Sequence, residues 1–322
     1  MNKELEIWCF AAERLKRNES VMLLVVAESS GSSPGRQGFK MIVARDEMCG
    51  SIGGGVMEVA LVEQAQGKSK KAKGKSEAEI IEQIHRKNSP NSSGMICSGR
   101  QTVIFRLITQ DDWRTVEKII QCVKNKKERY LQITSNTFRV VRKEKFDVDF
   151  RFTNSESGFL YEEKLGFKNI IYIIGGGHCA LALSEIMSKL DFHISLFDDR
   201  EDLNTIAVNQ FVNEKKIIES YEKIGEYIQS GNNIYVVVMT LGYKFDEIVI
   251  KRLIDKNFKY FGVLGSRAKM KTLLVNLQAA GFDKEKLVPL HAPVGLPINS
   301  QTPTEIAVSI AAEIIKVKNS KV

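Results

Sequence analysis

Several features are missing from this 322-residue sequence, and each absence excludes a class of protein. No apolar run approaches the roughly 20 residues that a membrane-spanning helix needs, so we expect no membrane partner. The first residues, MNKELEIWCF, contain acidic side chains and no apolar core with a cleavage site, which argues against a secretory signal. The five cysteines are odd in number and irregularly spaced, as expected of reduced thiols in a cytoplasmic protein.

Metal and nucleic-acid signatures are missing too. None of the four histidines stands at zinc-site spacing from another ligand, so we expect no structural zinc. Residues 1–150 hold 26 lysines and arginines against 19 acidic residues, but much of this excess lies in GKSKKAKGKSE (67–77), typical of a solvated loop. Because no aromatic residues alternate with the basic ones, we expect no nucleic-acid partner and favour a small anionic ligand or an acidic protein.

The length and the pattern of elements predict two domains. Residues 1–145 predict a small mixed α/β domain, 146–168 a polar linker, and 169–322 a Rossmann-like, doubly wound parallel sheet in which strands and helices alternate. In the first domain we predict helices at 3–17, from 56, at 76–87 and at 111–125, and strands at 21–29, 40–44, 101–108, 130–134 and 137–142. In the second we predict strands at 170–174, 192–197, 234–239 and 258–263, helices at 179–190, 202–209, 246–255 and 267–280, and a last helix capped by Thr302.

The most specific local motif is IIGGGHCALALSEI (173–186), a strand, a glycine turn and a helix in the order typical of dinucleotide binding. Gly175 and Gly177, with Ala180, fit the pattern G-x-G-x-x-A, whose glycines allow a tight turn and close approach to a pyrophosphate. Asp198 ends the next predicted strand, where a carboxylate can accept from a ribose hydroxyl. His178 adds chemistry that such a turn does not need, so the fold is predicted and the ligand stays open.

Other loops are candidates for binding anions through backbone donors. The serine loop, GSSPGRQG (31–38), and the triglycine loop, SIGGG (51–55), lie beside core strands, and two such loops in one small domain favour binding over plain turns. LGSRAKMK (264–271) is explained equally well as an anion-binding loop and as a basic helix face. Glu58 could be a base or a hydrogen-bond acceptor for the ligand, and it is explained equally well as a first-turn glutamate. The candidate residues in these segments are Ser32, Ser33, Arg36, Gly53, Gly54, Gly55, Glu58 and Arg267.

Cysteine and histidine supply the remaining candidates. Cys97, in GMICSGR, lies three residues before Arg100, and a positive, partly exposed setting favours a thiolate that binds metal or carries sulfur. Most lone cysteines are small buried hydrophobes, so the pattern alone leaves this open. Cys179 at a helix start has the same two explanations. His291, in HAPVGLPI, is a loop candidate with less support than His178.

The motifs quoted above, together with LFDDR, FGVLGSRAKM and HAPVGLPINSQTPTEIAVSIAAEI, occur in an order that resembles the XdhC/CoxI family from about residue 21 to 316. These are accessory proteins of xanthine dehydrogenase and related molybdenum hydroxylases. The resemblance implies a protein that binds molybdenum cofactor (molybdopterin), assists its sulfuration and delivers it to the apo-dehydrogenase. It also implies that Cys97 contacts molybdenum, with a cysteine desulfurase as a further candidate partner.

Two positions depart from the family pattern. The cysteine loop has Ser98 in place of a glycine, and Leu241 stands where many members carry a histidine. The second departure favours a cofactor-binding chaperone over a catalyst. Two alternatives remain open: an NAD(P)-dependent oxidoreductase that uses the glycine turn and Asp198, and a ligand or redox sensor. For any of these, a homodimer is the expected assembly.

Overall fold

The computed structural model describes residues 3–71, 77–85, 99–125, 129–142, 148–166 and 168–320. The chain divides into two compact units, Met1–Gly166 and Phe167–Val322. Within the described ranges, no helix is both long enough and apolar enough to cross a membrane.

The first unit is built on two antiparallel sheets. The five-stranded sheet has the order β3-β2-β1-β5-β4, and the four-stranded sheet has the order β7-β6-β9-β8. Its elements are α1 (Lys3–Lys16), β1 (Val21–Gly31), β2 (Lys40–Val43), β3 (Met48–Gly50), α2 (Gly55–Lys71), β4 (Glu79–His85), β5 (Gly99–Ile108), α3 (Trp113–Asn125), β6 (Tyr130–Thr134), β7 (Phe138–Val141), β8 (Phe150–Ser155) and β9 (Gly158–Lys164).

The position of β1 explains why its first seven residues, 21–27, are all apolar and buried. Leu23 and Val25 face a core shared with α1 and α3, whereas Leu24 and Val26 face a second core shared with α2. Since neighbouring side chains on a strand point to opposite faces, both faces of β1 are buried and both need apolar residues. The strand therefore lies between two hydrophobic layers.

Three sequence predictions for this unit are wrong in whole or in part. Residues 76–87 were expected to be helical, but Glu79–His85 form β4, which pairs antiparallel with β5. Residues 146–168 were expected to be a linker, yet they contain β8 and β9. Strand β9 lies between β6 and β8 in the four-stranded sheet, so this segment belongs to the first unit. In addition, α2 continues to Lys71, into the segment predicted as a solvated loop.

A buried ion pair holds β9 against the rest of the unit. Lys40 Nζ on β2 lies 2.6 Å from Glu163 Oε1 on β9, and the Tyr161 hydroxyl donates to Glu163 Oε2 at 2.9 Å. Burial lowers the pKa of Lys40, but the carboxylates of Glu163 and Glu4 outweigh this effect and leave the pKa raised. Lys40 is thus charged, and the charge pair joins two sheets across 123 residues of sequence.

The second unit is a single parallel sheet flanked by helices. Its strands follow the order β12-β11-β10-β13-β14-β15, which is the 3-2-1-4-5-6 order of a Rossmann fold. Its elements are β10 (Asn169–Ile174), α4 (His178–Ser188), β11 (Phe192–Asp198), α5 (Asn204–Val208), β12 (Glu214–Ile217), α6 (Ile224–Tyr227), β13 (Gly231–Val238), α7 (Tyr243–Leu253), β14 (Phe258–Val263), α8 (Arg267–Ala279), α9 (Lys284–Leu287), β15 (Leu290–His291) and α10 (Pro303–Asn319).

The predicted fold class is confirmed: a mixed α/β first unit and a doubly wound parallel sheet in the second. The predicted cap of α10 is also confirmed, since the Thr302 hydroxyl accepts from Glu305 N and the Glu305 carboxylate accepts from Thr302 N. Four short elements of this unit were not predicted: the edge strands β12 and β15 and the helices α6 and α9. They are too short for a periodic pattern to identify.

Candidate functional site

A buried glutamine, Gln101 on β5, joins the serine loop to the triglycine loop. Its Oε1 accepts hydrogen bonds from Ser33 Oγ at 2.7 Å and from Gly35 N at 3.2 Å. Its Nε2 donates to the carbonyl oxygen of Ile52 at 3.0 Å. Gln101 was not among the predicted site residues, because a polar side chain inside an apolar strand is the only signal of its role in the sequence.

The same segments also meet through their backbones. A Cβ added to Gly53 would lie 2.5 Å from Gly35 N, and one added to Gly99 would lie 2.6 Å from Ser33 N. No side chain fits at either contact. The serine loop, the triglycine loop and residues 99–101 at the start of β5 therefore form one packed assembly, which we call the cradle.

Glu58 supplies the acceptor around which the triglycine loop is folded. Its Oε2 accepts from Ser51 Oγ at 2.7 Å, from Ile52 N at 2.8 Å and from Gly54 N at 2.9 Å. Two of the backbone donors that were expected to bind an anion are thus bonded to a carboxylate of the chain itself. Glu58 shapes the loop in this structure.

Other groups of the cradle face solvent. Ser32 and Arg36 are exposed, and Arg36 Nη1 lies 3.5 Å from the carbonyl oxygen of Gly31. Gly54, with a φ of +75°, has open space where a Cβ would stand. Gly53 and Gly55 also have positive φ values, +131° and +74°, so all three predicted glycines adopt conformations that other residues rarely take. Cys97, whose place in the sequence is two residues before Gly99, lies outside the described residues.

In the second unit, the glycine turn contains residues with different physical roles. Gly175 has a φ of +107°, and a Cβ there would lie 2.3 Å from the carbonyl oxygen of Met239. Gly177 precedes the first helical residue of α4 and has open space around its missing Cβ. The fold requires glycine at 175, whereas at 177 the small residue serves to leave the approach to the helix open.

Asp198 is already engaged by the protein. Its carboxylate accepts from Gly176 N at 2.6 Å and from Arg200 Nε and Nη2 at 2.7 and 2.8 Å. Burial raises the pKa of Asp198, but these hydrogen bonds outweigh burial and lower it overall. The residue predicted to meet a ribose is thus an ionised group that holds the glycine turn.

His178 and Cys179 differ in their surroundings. His178 is exposed at the start of α4. Cys179 is partly buried, and burial raises the pKa of its thiol, which favours the second of its two explanations, a small buried hydrophobe. Among the described residues, Cys9, Cys49 and Cys179 are free thiols. In the described ranges, no group of three or more His, Cys, Asp or Glu side chains can hold a metal ion.

A polar network lies at the carboxyl end of the sheet, beyond β13 and β14. It was not predicted from the sequence. Asp246, fully buried, accepts from the Thr240 hydroxyl at 2.6 Å and from Lys269 Nζ at 2.7 Å. Arg267, the predicted basic residue of this segment, is exposed. Leu241, at the position where the pattern described above has a histidine, is 73% exposed and faces solvent.

Comparison with known proteins agrees with this architecture. Residues 171–314 match the XdhC Rossmann domain, and residues 14–81 match the XdhC and CoxI family. Between them, the two models match well over half of the sequence. The chain belongs to the XdhC and CoxI family.

Individual relatives support the same assignment. A Bacillus subtilis (strain 168) protein, named as a probable xanthine dehydrogenase subunit, is 24% identical over 334 residues, covering 94% of this chain and 95% of that protein. The Escherichia coli (strain K12) protein YqeB, named as uncharacterized, is 32% identical over 158 residues, which are 48% of this chain but only 28% of YqeB. A crystal structure described as a xanthine dehydrogenase from Bacillus halodurans has the same fold, with a TM-score of 0.74 at 19% identity, covering 100% of this chain and 97% of that one.

Proposed function

We propose that this member of the XdhC and CoxI family is an accessory factor of a xanthine dehydrogenase-type molybdenum hydroxylase. It binds molybdenum cofactor as cargo, assists its sulfuration and delivers it to the apo-enzyme. The name of the Bacillus subtilis relative, matched over nearly its whole length, supports the link to xanthine dehydrogenase. As further parts of the proposal, the protein is a cytoplasmic homodimer and a cysteine desulfurase is a second partner.

The observation that carries the proposal is the cradle. Gln101 holds the serine and triglycine loops together before any ligand arrives, so binding does not have to order them. The exposed Arg36 and Ser32 suit a phosphate group, since a guanidinium and a hydroxyl both donate to anionic oxygens. Cys97, close in sequence to Gly99 of the cradle, would offer a soft thiolate ligand for molybdenum.

The test is to purify the protein anaerobically from cells supplied with molybdate and to measure molybdenum and oxidised pterin fluorescence. We expect near-stoichiometric cofactor in the wild type. Arg36→Gln and Cys97→Ala should each retain clearly less, because one loses an anion contact and the other a metal contact. Arg45→Gln, an exposed arginine outside the cradle, and Cys9→Ala, on α1, are the matched controls.

A second measurement separates retention from delivery. Loaded protein is mixed with a cofactor-free xanthine dehydrogenase, and hydroxylase activity is followed over time. Appearance of activity that depends on the loaded protein supports delivery. Wild-type protein that carries neither molybdenum nor pterin would refute the proposal, as would equal retention by the cradle variants and their controls.

A second candidate function is an NAD(P)-dependent oxidoreductase. The strand order and the open approach at Gly177 favour a dinucleotide at the junction between β10 and β13. The engagement of Asp198 by Arg200 weighs against it, since the expected ribose acceptor is occupied. Titration with NADH and NADPH, followed by fluorescence, decides: tight binding with turnover of a substrate would promote this function over the first.

A further inference from the structure

Two side chains, those of His291 and Tyr260, and one backbone N–H meet around Glu313 in the second unit. His291 Nδ1 on β15 lies 3.1 Å from Glu313 Oε1 on α10. Glu313 Oε2 accepts from the Tyr260 hydroxyl at 2.5 Å and from Gly295 N at 2.8 Å. The imidazole of His291 also stacks on the ring of Tyr260, with centroids 4.4 Å apart. The ring of His291 is therefore fixed both in position and in rotation.

The arrangement determines where the imidazole proton lies. Burial raises the pKa of Glu313, but the bonds from Tyr260, Gly295 and His291 outweigh it and lower the pKa overall, so the group is a carboxylate. A carboxylate only accepts hydrogen bonds, so Nδ1 of His291 must carry a proton to donate. In the neutral ring, Nε2 then has a free lone pair and can only accept.

This imidazole stands near the ligand-binding edge of the sheet. His291 pairs with Gly262, which is the last residue but one of β14. In open parallel sheets, ligands bind beyond the carboxyl ends of the strands. The His291 side chain is 30% exposed, whereas that of Glu313 is 14% exposed. The carboxylate is thus the inner member of the pair and the imidazole the outer one.

We propose that His291 contacts the ligand of the Rossmann unit, with Glu313 as a positioning residue that keeps the proton on Nδ1 so that Nε2 accepts a hydrogen bond from an N–H or O–H group of that ligand. The inference goes beyond the proposed function, in which the cradle of the first unit is the site for molybdenum cofactor. The ligand of the Rossmann unit is a nucleotide, whose ribose offers the O–H donor that Nε2 requires.

The first experiment reads the proton position directly. Four histidines make selective ¹⁵N labelling practicable, and long-range ¹H–¹⁵N correlation at pH 8.5 distinguishes the two neutral tautomers. We expect His291 to be protonated on Nδ1. In Glu313→Gln, the amide carbonyl can keep the bonds from Tyr260 and Gly295 while its NH₂ group faces Nδ1, so the proton should move to Nε2. A wild-type ring that carries its proton on Nε2 would overturn the proposal.

The second experiment separates a ligand contact from a structural role. His291→Asn keeps an N–H group facing Glu313 but removes Nε2, so we expect wild-type thermal stability with about tenfold weaker ligand binding. His291→Gln places an amide oxygen near the position of Nε2 and should recover part of the loss. Glu313→Gln should bind as weakly as His291→Asn, because Nε2 becomes a donor. Wild-type affinity in both His291→Asn and Glu313→Gln would refute the inference.

The probe is NADH, measured by titration, and retained molybdenum and pterin are measured in the same variants as a control. Weaker binding of NADH with unchanged cofactor retention supports the inference. If the wild type holds no cofactor but binds NADH, and the variants bind NADH less tightly, the proposed function fails while the inference stands. A wild type that does not bind NADH would overturn the inference.

Discussion

The hydrogen bonds of Gln101 allow us to predict how much stability the protein loses when this residue is replaced. Replacing it with methionine keeps the length of the side chain and removes its polar atoms. Three groups then lose their partner: the Ser33 hydroxyl, the Gly35 N–H and the Ile52 carbonyl, all of which lie in the interior. A buried polar group without a partner costs about 1–3 kcal/mol, so even the lower value gives about 3 kcal/mol in total.

The expected change is measured as a shift in melting temperature. For a domain of this size, about 3 kcal/mol lowers the Tm by about 6–12 °C. Calorimetry of the full chain is the assay, and Gln64→Met, the same exchange on an exposed position of α2, is the control and should change the Tm little. A shift below about 2 °C in Gln101→Met would show that the loops hold together without the amide, and would refute the role of Gln101 in the cradle.

Further substitutions test other contacts. Lys40→Met should destabilise the protein by about 3–5 kcal/mol in urea unfolding, because it removes the ammonium group that faces the buried Glu163 carboxylate, and adding Glu163→Leu should recover most of the loss. Gly175→Ala should lower the Tm because its Cβ meets backbone, whereas Gly177→Ala should leave the Tm unchanged and weaken only ligand binding. The pKa of Asp198 is lowered in the folded state, so the stability that this carboxylate contributes is complete above the ordinary pKa of 3.8 and is lost as the pH falls through the folded pKa. The Asp198→Asn variant should therefore be less stable than the wild type at neutral pH, and its free energy of unfolding should fall less steeply in acid.

Most elements of the second unit could be predicted because each is determined by a pattern within a short segment of sequence. Strands such as Asn169–Ile174 and Phe258–Val263 are rich in apolar and aromatic residues, and short connections join them to the helices that follow. A right-handed crossover then leaves few topologies to choose from. The turn at Gly175 and Gly177 could be located from its pattern for the same reason: every part of it lies within one strand, one turn and one helix.

The first unit was harder because distant pairing overrides local preference. Glu79–His85 has isoleucines at spacings that suit a helix, but the open edge of β5 makes it a strand. Residues 150–164 are polar and irregular in composition, yet β9 fits between two strands. Gln101 could not be assigned from the sequence, since its partners are 49 to 68 residues away and a buried amide has no motif.

The position of β9 has a consequence for how the chain folds as it is synthesised. Lys40 emerges from the ribosome long before Glu163, and until then its ammonium group has no β9 to pair with. Strand β6 likewise has only one neighbour until β9 arrives. The amino-terminal unit therefore closes late, when translation has nearly reached the start of the Rossmann unit. A fragment ended at residue 145 would leave this gap permanently open, whereas one ended at Gly166 would carry all the strands described for that unit.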